Sequence, residues 1–305
     1  MTESNGAAPD PQASDPKAPD PRVVRRAFER AATAYDAAAG LQRETADELL
    51  ERLAGVRVEA RRVLDLGCGT GYTTRGLQRM YRGAEVMGVD FSRGMAARAH
   101  KRPRLGRRPM IVCADMSDLP LADASVDIVV SNLALQWVCD PVAVFGEIRR
   151  VLRPDGALMF SSLGPDTLWE LRAAWATIDQ RIHVSDFKDM HDVGDAMLGA
   201  GLVDPVMDVE RQQRPYDDLR ALMTSIKAIG AQNAAQGRPR GLTGRGVLQR
   251  LDANYPVRDD SGGPIATWEL VFGHAWGAQI PRPGSGNAQE FHVPIESIGR
   301  ARTNR

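Results

Sequence analysis

The chain has 305 residues, and its 39 acidic and 39 basic side chains give a formal net charge of zero. Apolar residues make up 43% and charged residues 26% of the sequence, which is typical of a soluble globular protein and excludes fibrous, collagen-like and wholly disordered chains. No apolar run approaches the roughly 18 residues of a membrane span, and the N-terminal segment lacks the apolar core of a signal peptide. We therefore expect a cytoplasmic protein whose partners are neither membranes nor nucleic acids.

Both ends of the chain are predicted to be disordered tails. Residues 1–21 contain five prolines and no aromatic residue, and residues 279–305 are rich in proline, glycine and polar side chains. Such segments bury too little apolar surface to offset the entropy lost on ordering. Between the tails we predict one domain over residues 22–278, with an N-terminal helical segment at 22–54 and a helical cap insertion on the substrate side at about 164–262.

Short apolar runs alternate with longer segments of helical periodicity in the first half of the domain. The pattern predicts strands at 62–66, 85–90, 110–114, 126–131 and 157–162, and helices at 73–81, 94–100 and 141–152, with a turn at 153–156. This alternation predicts an α/β fold in which a doubly wound parallel sheet carries helices on both faces. In such folds the ligand lies beyond the carboxyl ends of the strands, so the residues at those ends are the candidates for a site.

A glycine-rich turn follows the first predicted strand. Asp65 precedes Gly67, Gly69 and Gly71, and a turn of this kind lets the backbone approach a ligand closely at a helix N-terminus. The third glycine of a nicotinamide or flavin fingerprint is missing, because Tyr72 stands in its place. An acidic residue two positions before this turn suits a ligand with an ammonium group and no phosphate, as in S-adenosylmethionine. A purely structural turn is the alternative.

Acidic residues also end the next two predicted strands. Asp90 ends the second strand, where a carboxylate can accept both hydroxyls of a ribose, and we include the adjacent Phe91 in the cofactor-binding set. An N-cap role for Asp90 is the alternative, although Ser92 can fill that role. Asp115 and Met116 follow the third strand and are suited to the amino group and the face of an adenine ring, unless the pair is structural.

The fourth predicted strand leads into SNLALQW at 131–137, which combines polar and aromatic side chains. We expect this segment beneath the sulfonium of the cofactor, with Asn132 binding the cofactor. Trp137 is predicted to form a wall of the methyl-acceptor pocket, with a buried structural tryptophan as the alternative. Polar residues at four strand ends in one register favour a binding site.

The three cysteines, Cys68, Cys113 and Cys139, are far apart and lack the paired spacing of a zinc site or a disulfide framework. We therefore predict no metal, and we expect the three thiols to be buried and reduced.

Several segments, in order along the chain, resemble known families. The chain resembles class I S-adenosylmethionine-dependent methyltransferases in VLDLGCGTG, GVD, CADMSDLPL, SNLALQWV and EIRRVLRPDG. It resembles the malonyl-acyl-carrier-protein O-methyltransferases of biotin synthesis, the BioC family, in FERAATAYDAAAG, LGPDTLWELRAAW, HVSDFKDMHDVGDAM, IKAIGA, GRPRGLTG and ATWELVFGHAW. The first resemblance implies a Rossmann-like, seven-stranded, mostly parallel sheet. The second, over residues 22–277, implies methylation of the free carboxyl of malonyl-acyl-carrier protein, giving the methyl ester that primes pimeloyl synthesis.

The second resemblance also bears on individual catalytic residues. Tyr35 matches the tyrosine of the family's F-x-x-A-A-x-x-Y-D motif and offers the acceptor one hydroxyl donor without a full charge. Gln42, seven residues on, lies on nearly the same helix face and is predicted to close over the cofactor. Arg181 and His183 match a D-E-R-P-H-like segment, with Ile182 departing from the proline, and are candidates to hold the thioester carbonyl or the carboxylate. A core position for Tyr35, a surface arginine and a satisfied histidine are the alternatives.

The implied partner is an acyl carrier protein that carries malonyl, although malonyl-coenzyme A presents the same malonyl end. Acyl carrier proteins are acidic, so we expect a basic docking surface. The candidates are one cluster of Arg238, Arg240 and Arg245 and another of Arg102, Arg104, Arg107 and Arg108, each with a solvated surface as the alternative. Lys227 in IKAIGA is ambiguous in the same way as Arg181 and His183, between a contact with the substrate and a structural role.

Other functions compete with this interpretation. One is methylation of another small acid or a quinone, because the core motifs do not specify the acceptor. Another is hydroxylation of a protein partner, since complex I assembly factors of this fold have segments similar to GPDTLWELR, and a third is binding of S-adenosylmethionine as a sensor. GRPRGLTG, and the absence of an Arg-rich amphipathic presequence at 1–21, favour the carboxyl methyltransferase over the assembly factor.

Overall fold

The computed structural model describes residues 15–101, 108–239, 241 and 243–277. The strands are β1 (Arg62–Leu66), β2 (Glu85–Asp90), β3 (Met110–Cys113), β4 (Val126–Asn132), β5 (Leu152–Leu163), β6 (Val203–Pro215) and β7 (Ile265–Trp276). The helices are α1 (Pro21–Ala31), α2 (Tyr35–Ala38), α3 (Gly40–Ala54), α4 (Tyr72–Met80), α5 (Arg93–Lys101), α6 (Pro141–Val151), α7 (Trp169–Ala176), α8 (Met190–Gly199), α9 (Leu219–Ala228) and α10 (Arg245–Ala253).

The strands form one seven-stranded sheet in the order β3-β2-β1-β4-β5-β7-β6. The five strands from β3 to β5 are parallel, and β7 pairs antiparallel with both β5 and β6. This topology confirms the prediction of an α/β fold with a mostly parallel sheet. The order changes direction between β1 and β4, and in doubly wound sheets a ligand crevice opens at such a point.

The apolar core has two layers, one on each face of the sheet. Successive side chains of a strand point to opposite faces, so Val63 of β1 joins the layer that contains Leu49 and Leu53 of α3. Leu64, the next residue, joins the layer beneath α6 that contains Ile148. Both faces of β1 are therefore covered, which explains why its sequence is nearly continuously apolar.

β5 begins earlier than predicted. Leu152, expected at the end of a helix, pairs with Val126 of β4, and the register of the two strands shifts just beyond this pair. The turn predicted at 153–156 lies inside the strand as an irregularity, where Asp155 has a φ of 61°. The prediction that a turn separates the helix from the strand was wrong, because β5 already pairs with β4 at Leu152 and continues through residues 153–156.

The cap insertion predicted at about 164–262 is not wholly helical. It contains α7, α8, α9 and α10, but β6 lies within it and forms an edge of the central sheet along β7. Side chains of β6 alternate between half-buried and exposed, and many of the residues are polar. An edge strand of this composition lacks the apolar pattern by which the other strands were predicted.

Residues 15–21, predicted as the end of a disordered tail, pack against the segment that follows α9. The backbone N–H of Asp20 donates to the carbonyl of Ala234 at 2.7 Å, and Lys17 forms an ion pair with Asp186 at 2.7 Å. The side chain of Asp20 also accepts from the N–H of Arg22 and caps α1. Residues 1–14 and 278–305, which hold the rest of the predicted tails, lie outside the described residues.

Of the three cysteines only Cys68 is buried; Cys113 and Cys139 are exposed, so the expectation of buried thiols was wrong for these two. Across the described residues, no helix has both the length and the apolar character needed to cross a membrane. The described residues also contain no group of three or more His, Cys, Asp or Glu side chains that could hold a metal ion. The cytoplasmic location stays a prediction.

Candidate active site

A cleft with two compartments lies where β1, β2 and β4 end. The first compartment has a volume of about 220 Å³ and the second about 280 Å³. Tyr35, Gly67, Gly69 and Asn132 line both of them, so the two form one continuous site. Together they reach the volume range that ligand pockets of proteins usually have.

The glycine-rich turn contributes backbone to both compartments. Gly67, Gly69 and Gly71 have φ values of 76°, 55° and 83°, in the left-handed region that favours glycine. A Cβ atom on Gly67 would lie 2.3 Å from the Cβ of Ala134, in the loop after β4. Gly71 immediately precedes α4, so the turn also brings the N-terminus of that helix to the cleft.

Asp65 does not line either compartment, although the sequence predicted direct contact with the ligand. Its side chain is fully buried in β1, where Oδ2 accepts a hydrogen bond of 2.5 Å from the hydroxyl of Thr74. Oδ1 has no partner within the described part of the chain. Burial raises the pKa of Asp65 from 3.8 to about 7, and the charge of Asp90 adds to the increase.

Asp90 lines the first compartment at the end of β2 and is 7% exposed. Its Oδ2 accepts from the N–H of Gly69 at 2.9 Å and its Oδ1 from the N–H of Ser92 at 2.8 Å. Burial raises the pKa of Asp90 from 3.8 to about 6 in spite of these two hydrogen bonds. Each oxygen of the Asp90 carboxylate can accept one further hydrogen bond.

Ser92, as expected, caps α5. Its hydroxyl accepts a hydrogen bond from the N–H of Met95 at 3.3 Å.

Asp115 and Met116, predicted at the adenine, also line the first compartment, as does Phe91 of the predicted cofactor-binding set. The carboxylate of Asp115 is exposed, and its Oδ1 accepts from the N–H of Ser117 at 2.9 Å and from its hydroxyl at 2.7 Å. These bonds fix the orientation of Asp115 and leave its Oδ2 available to a ligand.

Aromatic side chains form one wall of the first compartment. The ring of Phe28, on α1, packs edge-to-face against Phe91 at 6.3 Å and Trp137 at 5.8 Å between centroids. Phe187, from the cap, packs against the other side of Trp137 at 6.3 Å. Trp137 therefore lies between α1 and the cap. Phe28 is the phenylalanine of the quoted F-x-x-A-A-x-x-Y-D motif, but the sequence assigned it no role in the site and gave no signal for Phe187.

Tyr35 opens α2 and lines both compartments. Its hydroxyl makes no hydrogen bond to any of the residues described. Burial raises the pKa of Tyr35 well above its usual range, and the charges of Asp90 and Asp36 act in the same direction. The hydroxyl therefore stays protonated at neutral pH and can donate to a ligand in the cleft.

Asn132 and Gln42 join α3 to the sheet at the second compartment. The amide nitrogen of Asn132 donates to the backbone carbonyl of Gln42 at 2.9 Å, and its amide oxygen accepts from the hydroxyl of Ser161 at 2.8 Å. The side-chain oxygen of Gln42 is buried and has no hydrogen-bond partner among the residues described. The second compartment thus contains an acceptor group that a ligand N–H can satisfy.

A polar network that the sequence analysis missed also lines the second compartment. The hydroxyl of Thr70 donates to Oδ1 of Asp36 at 2.6 Å, and Nη1 of Arg75 donates to the carbonyl of Thr70 at 3.1 Å. Arg43 of α3 donates to the carbonyl of Asp36. The network ties the N-terminal helices to the glycine-rich turn. The sequence pointed to this network at one residue, Asp36, which is the aspartate after Tyr35 in the family motif.

The structure does not bring Arg181 and His183 to the cleft. The ring of His183 stacks on Trp175 at 3.6 Å between centroids, and its Nε2 lies 2.8 Å from Oδ1 of Asp179. Arg181 is exposed, and its backbone N–H donates to the same oxygen at 2.9 Å. Lys227 lines a separate hollow between α1 and α9. Contact of Arg181 and His183 with the substrate stays a prediction.

The structure describes three of the seven arginines suggested for docking. Arg102, Arg104, Arg107 and Arg240 lie outside the described residues. Arg238 is half-buried and donates to the carbonyl of Ala235 at 3.1 Å, whereas Arg108 and Arg245 are exposed. These two exposed residues do not line the cleft.

Comparison with known proteins gives concordant matches. Residues 64–160 match the family model of a methyltransferase domain. The chain is 49% identical to a curated malonyl-[acyl-carrier protein] O-methyltransferase of Halorhodospira halophila, over 92% of this chain and 96% of the relative. It is 51% identical to the enzyme of the same name from Methylovorus sp., over 84% of this chain and 88% of the relative.

Solved structures share the fold at low identity. A putative methyltransferase from Bacillus halodurans superposes with a TM-score of 0.57 at 14% identity, covering 76% of this chain and all of that one. The YcgJ protein of Bacillus subtilis gives a TM-score of 0.55 at 15% identity, covering 78% and 99%. The chain thus has the methyltransferase α/β fold that the motifs implied.

Proposed function

The chain belongs to the family of malonyl-[acyl-carrier protein] O-methyltransferases, and on that basis we propose that it methylates the free carboxylate of malonyl-acyl-carrier protein. The observation that carries the proposal is the 49% identity over 92% of the chain, which extends well beyond the methyltransferase domain at 64–160. The product is the methyl ester that primes pimeloyl synthesis for biotin. The enzyme is an S-adenosylmethionine-dependent carboxyl O-methyltransferase.

The residues of the cleft fit S-adenosylmethionine. The buried, unpaired side-chain oxygen of Gln42 suits the ammonium of the methionine part. Asp90 suits the two ribose hydroxyls, and Asp115 with Met116 and Phe91 suits the adenine. The cofactor supplies the electrophilic methyl group on a sulfonium. We assign Asp65 a supporting role behind the glycine-rich turn, because it is fully buried and does not line the cleft.

The reaction needs no general base, because a malonyl carboxylate is ionised at neutral pH. A cation and an anion react to give neutral products, so a weakly polar site that excludes water favours the transition state. The aromatic side chains of Phe28, Phe91 and Trp137, which line the first compartment, supply such surroundings. The main task of the protein is therefore to position the carboxylate in line with the methyl group.

Tyr35 is the residue to which we assign that positioning. It lines both compartments where they meet, and its hydroxyl is free of hydrogen bonds to the described chain. A raised pKa keeps the proton on the hydroxyl, so Tyr35 acts as a hydrogen-bond donor to the carboxylate throughout. A neutral donor orients the attacking oxygen without stabilising its charge as strongly as an arginine would.

Transfer of a radiolabelled methyl group from S-adenosylmethionine tests the proposal. The acceptors are malonyl-acyl-carrier protein, malonyl-coenzyme A and acetyl-acyl-carrier protein, which lacks the free carboxyl. We expect base-labile label on malonyl-acyl-carrier protein and none on the acetyl form. The ratio of the methylation rates of malonyl-acyl-carrier protein and malonyl-coenzyme A measures how much the carrier protein increases the rate. Cofactor binding without label on either malonyl thioester would refute the proposed function.

A further inference from the structure

The outer face of α1 carries a row of cations that the cleft does not use. Arg22, Arg26 and Arg30 follow at four-residue spacing, so they lie on one side of the helix, and all three are exposed. None of them takes part in the ion pairs found among the described residues. Like charges at this spacing disfavour a helix, so this basic ridge does not serve the stability of α1.

A hollow of about 310 Å³ lies beside the basic ridge, between α1 and α9. Its lining combines small apolar side chains with two exposed cations at its edge, Arg30 and Lys227. The small side chains are Ala27, Ala31, Ala34 and Ala228. A hollow of this composition accepts an apolar side chain while the cations bind carboxylates on either side of it.

Residues that are adjacent in the sequence line the hollow and the cleft. Ala27 lines the hollow, and the adjacent Phe28 lines the first compartment. Ala34 lines the hollow, and the adjacent Tyr35 lines both compartments. An α-helix with its side chains is about 10–12 Å across. A partner bound on the basic ridge would therefore lie next to the cleft, separated from it by about the width of a helix.

We propose that the basic ridge, Lys227 and the hollow together form the docking surface for an acidic, amphipathic helix of the acyl carrier protein. The inference rests on the proposed function, which supplies an acidic partner with its substrate on a flexible arm. Carboxylates of the carrier helix pair with the cations, and one apolar side chain enters the hollow. Among the arginines suggested by the sequence, Arg238 is unsuited to this role because its guanidinium binds the carbonyl of Ala235.

Charge reversal on the basic ridge tests the docking surface. We expect Arg26→Glu/Arg30→Glu to raise the KM for malonyl-acyl-carrier protein about tenfold and to lower direct binding of the carrier, measured by fluorescence anisotropy, to a similar extent. The KM for malonyl-coenzyme A stays within twofold, because the small thioester does not need the docking surface. The matched control is Arg79→Glu/Arg82→Glu, two exposed arginines at the end of α4 and just after it, and it leaves all three values unchanged.

Two further results bear on the same surface. Thr224→Trp, at an exposed position that lines the hollow, reduces carrier binding without changing any charge. Raised ionic strength weakens carrier binding by the wild type and has much less effect on the ridge variant. Unchanged carrier binding in the ridge variant would overturn the inference, even if the enzyme is active. If the wild type binds the carrier through the ridge but methylates no malonyl thioester, the proposed function fails and the docking surface stands.

Discussion

Replacing Asp90 with alanine tests the part of the site that we assign to the ribose. The carboxylate offers one free acceptor position on each oxygen, because the N–H groups of Gly69 and Ser92 occupy only one position each. Two hydrogen bonds to a charged group contribute about 1.5–3 kcal/mol each. Their loss corresponds to roughly 10²- to 10⁴-fold weaker binding of S-adenosylmethionine.

The same substitution should change the stability of the cofactor-free protein much less. Burial raises the pKa of Asp90 from 3.8 to about 6, so the ionised carboxylate costs about 3 kcal/mol at neutral pH. Removing it relieves that cost, which already includes the two hydrogen bonds, but it leaves the N–H groups of Gly69 and Ser92 without their acceptors. Because the two effects oppose each other, we expect the free energy of unfolding to change by less than about 2 kcal/mol.

Isothermal titration calorimetry measures the affinity for the cofactor, and denaturant unfolding measures the stability. Asp118→Ala is the matched control, because Asp118 is an exposed acid in the loop after β3 that does not line the cleft. A Kd for Asp90→Ala within threefold of the wild type would refute the ribose role. A large loss of stability with no specific loss of affinity would make Asp90 a structural residue.

Three further predictions concern other parts of the cleft. Tyr35→Phe should lower kcat about tenfold, the loss of about one hydrogen bond, while the Kd of S-adenosylmethionine measured by calorimetry changes less than twofold. Full activity of the Tyr35→Phe variant would show that the Tyr35 side chain serves only in packing. Because burial raises the pKa of Asp65 from 3.8 to about 7, its contribution to stability is present below pH 4 and lost as the pH rises to 7. Relative to Asp65→Asn, the wild type should therefore lose up to roughly 4 kcal/mol between pH 4 and pH 7, and parallel stability curves would contradict this. Gly67→Ala should lower the stability and the cofactor affinity, since its Cβ would overlap the Cβ of Ala134. Adding Ala134→Gly should restore only part of both, because the positive φ of residue 67 still costs about 1–2 kcal/mol, and complete rescue would exclude backbone strain.

The sequence predicted those features of the site that depend on local pattern. The apolar runs of β1, β2 and β4 placed their ends in one register, so Asp90 and Asn132 were expected at the same edge of the sheet. The glycines of the turn after β1 were expected to let the backbone approach a ligand, and in the structure all three have a positive φ. The resemblance of the motifs to a methyltransferase family then supplied the cofactor, which strand ends by themselves only suggested.

The sequence was less informative where the environment of a side chain depends on distant segments. Asp65 has the spacing of a ligand-binding acid, yet the structure buries it behind the turn against Thr74. His183 matches a family motif, yet it stacks on Trp175 of the preceding helix. β6 has no apolar pattern of its own, and it becomes a strand by pairing with β7, whose residues lie some distance along the chain.

What the sequence by itself determined is therefore the order of strands and helices in the first half of the domain, the glycine-rich turn and the residue types at the strand ends. Hydrophobic periodicity and glycine conformation act between near neighbours, so they can be read without a fold. Only the tertiary structure decided which of these side chains share the cleft, that Phe187 of the cap reaches Trp137, and that α1 and α9 enclose a hollow beside the arginines of α1. Such contacts join residues far apart in the chain, and their geometry follows from packing the two apolar layers against one sheet.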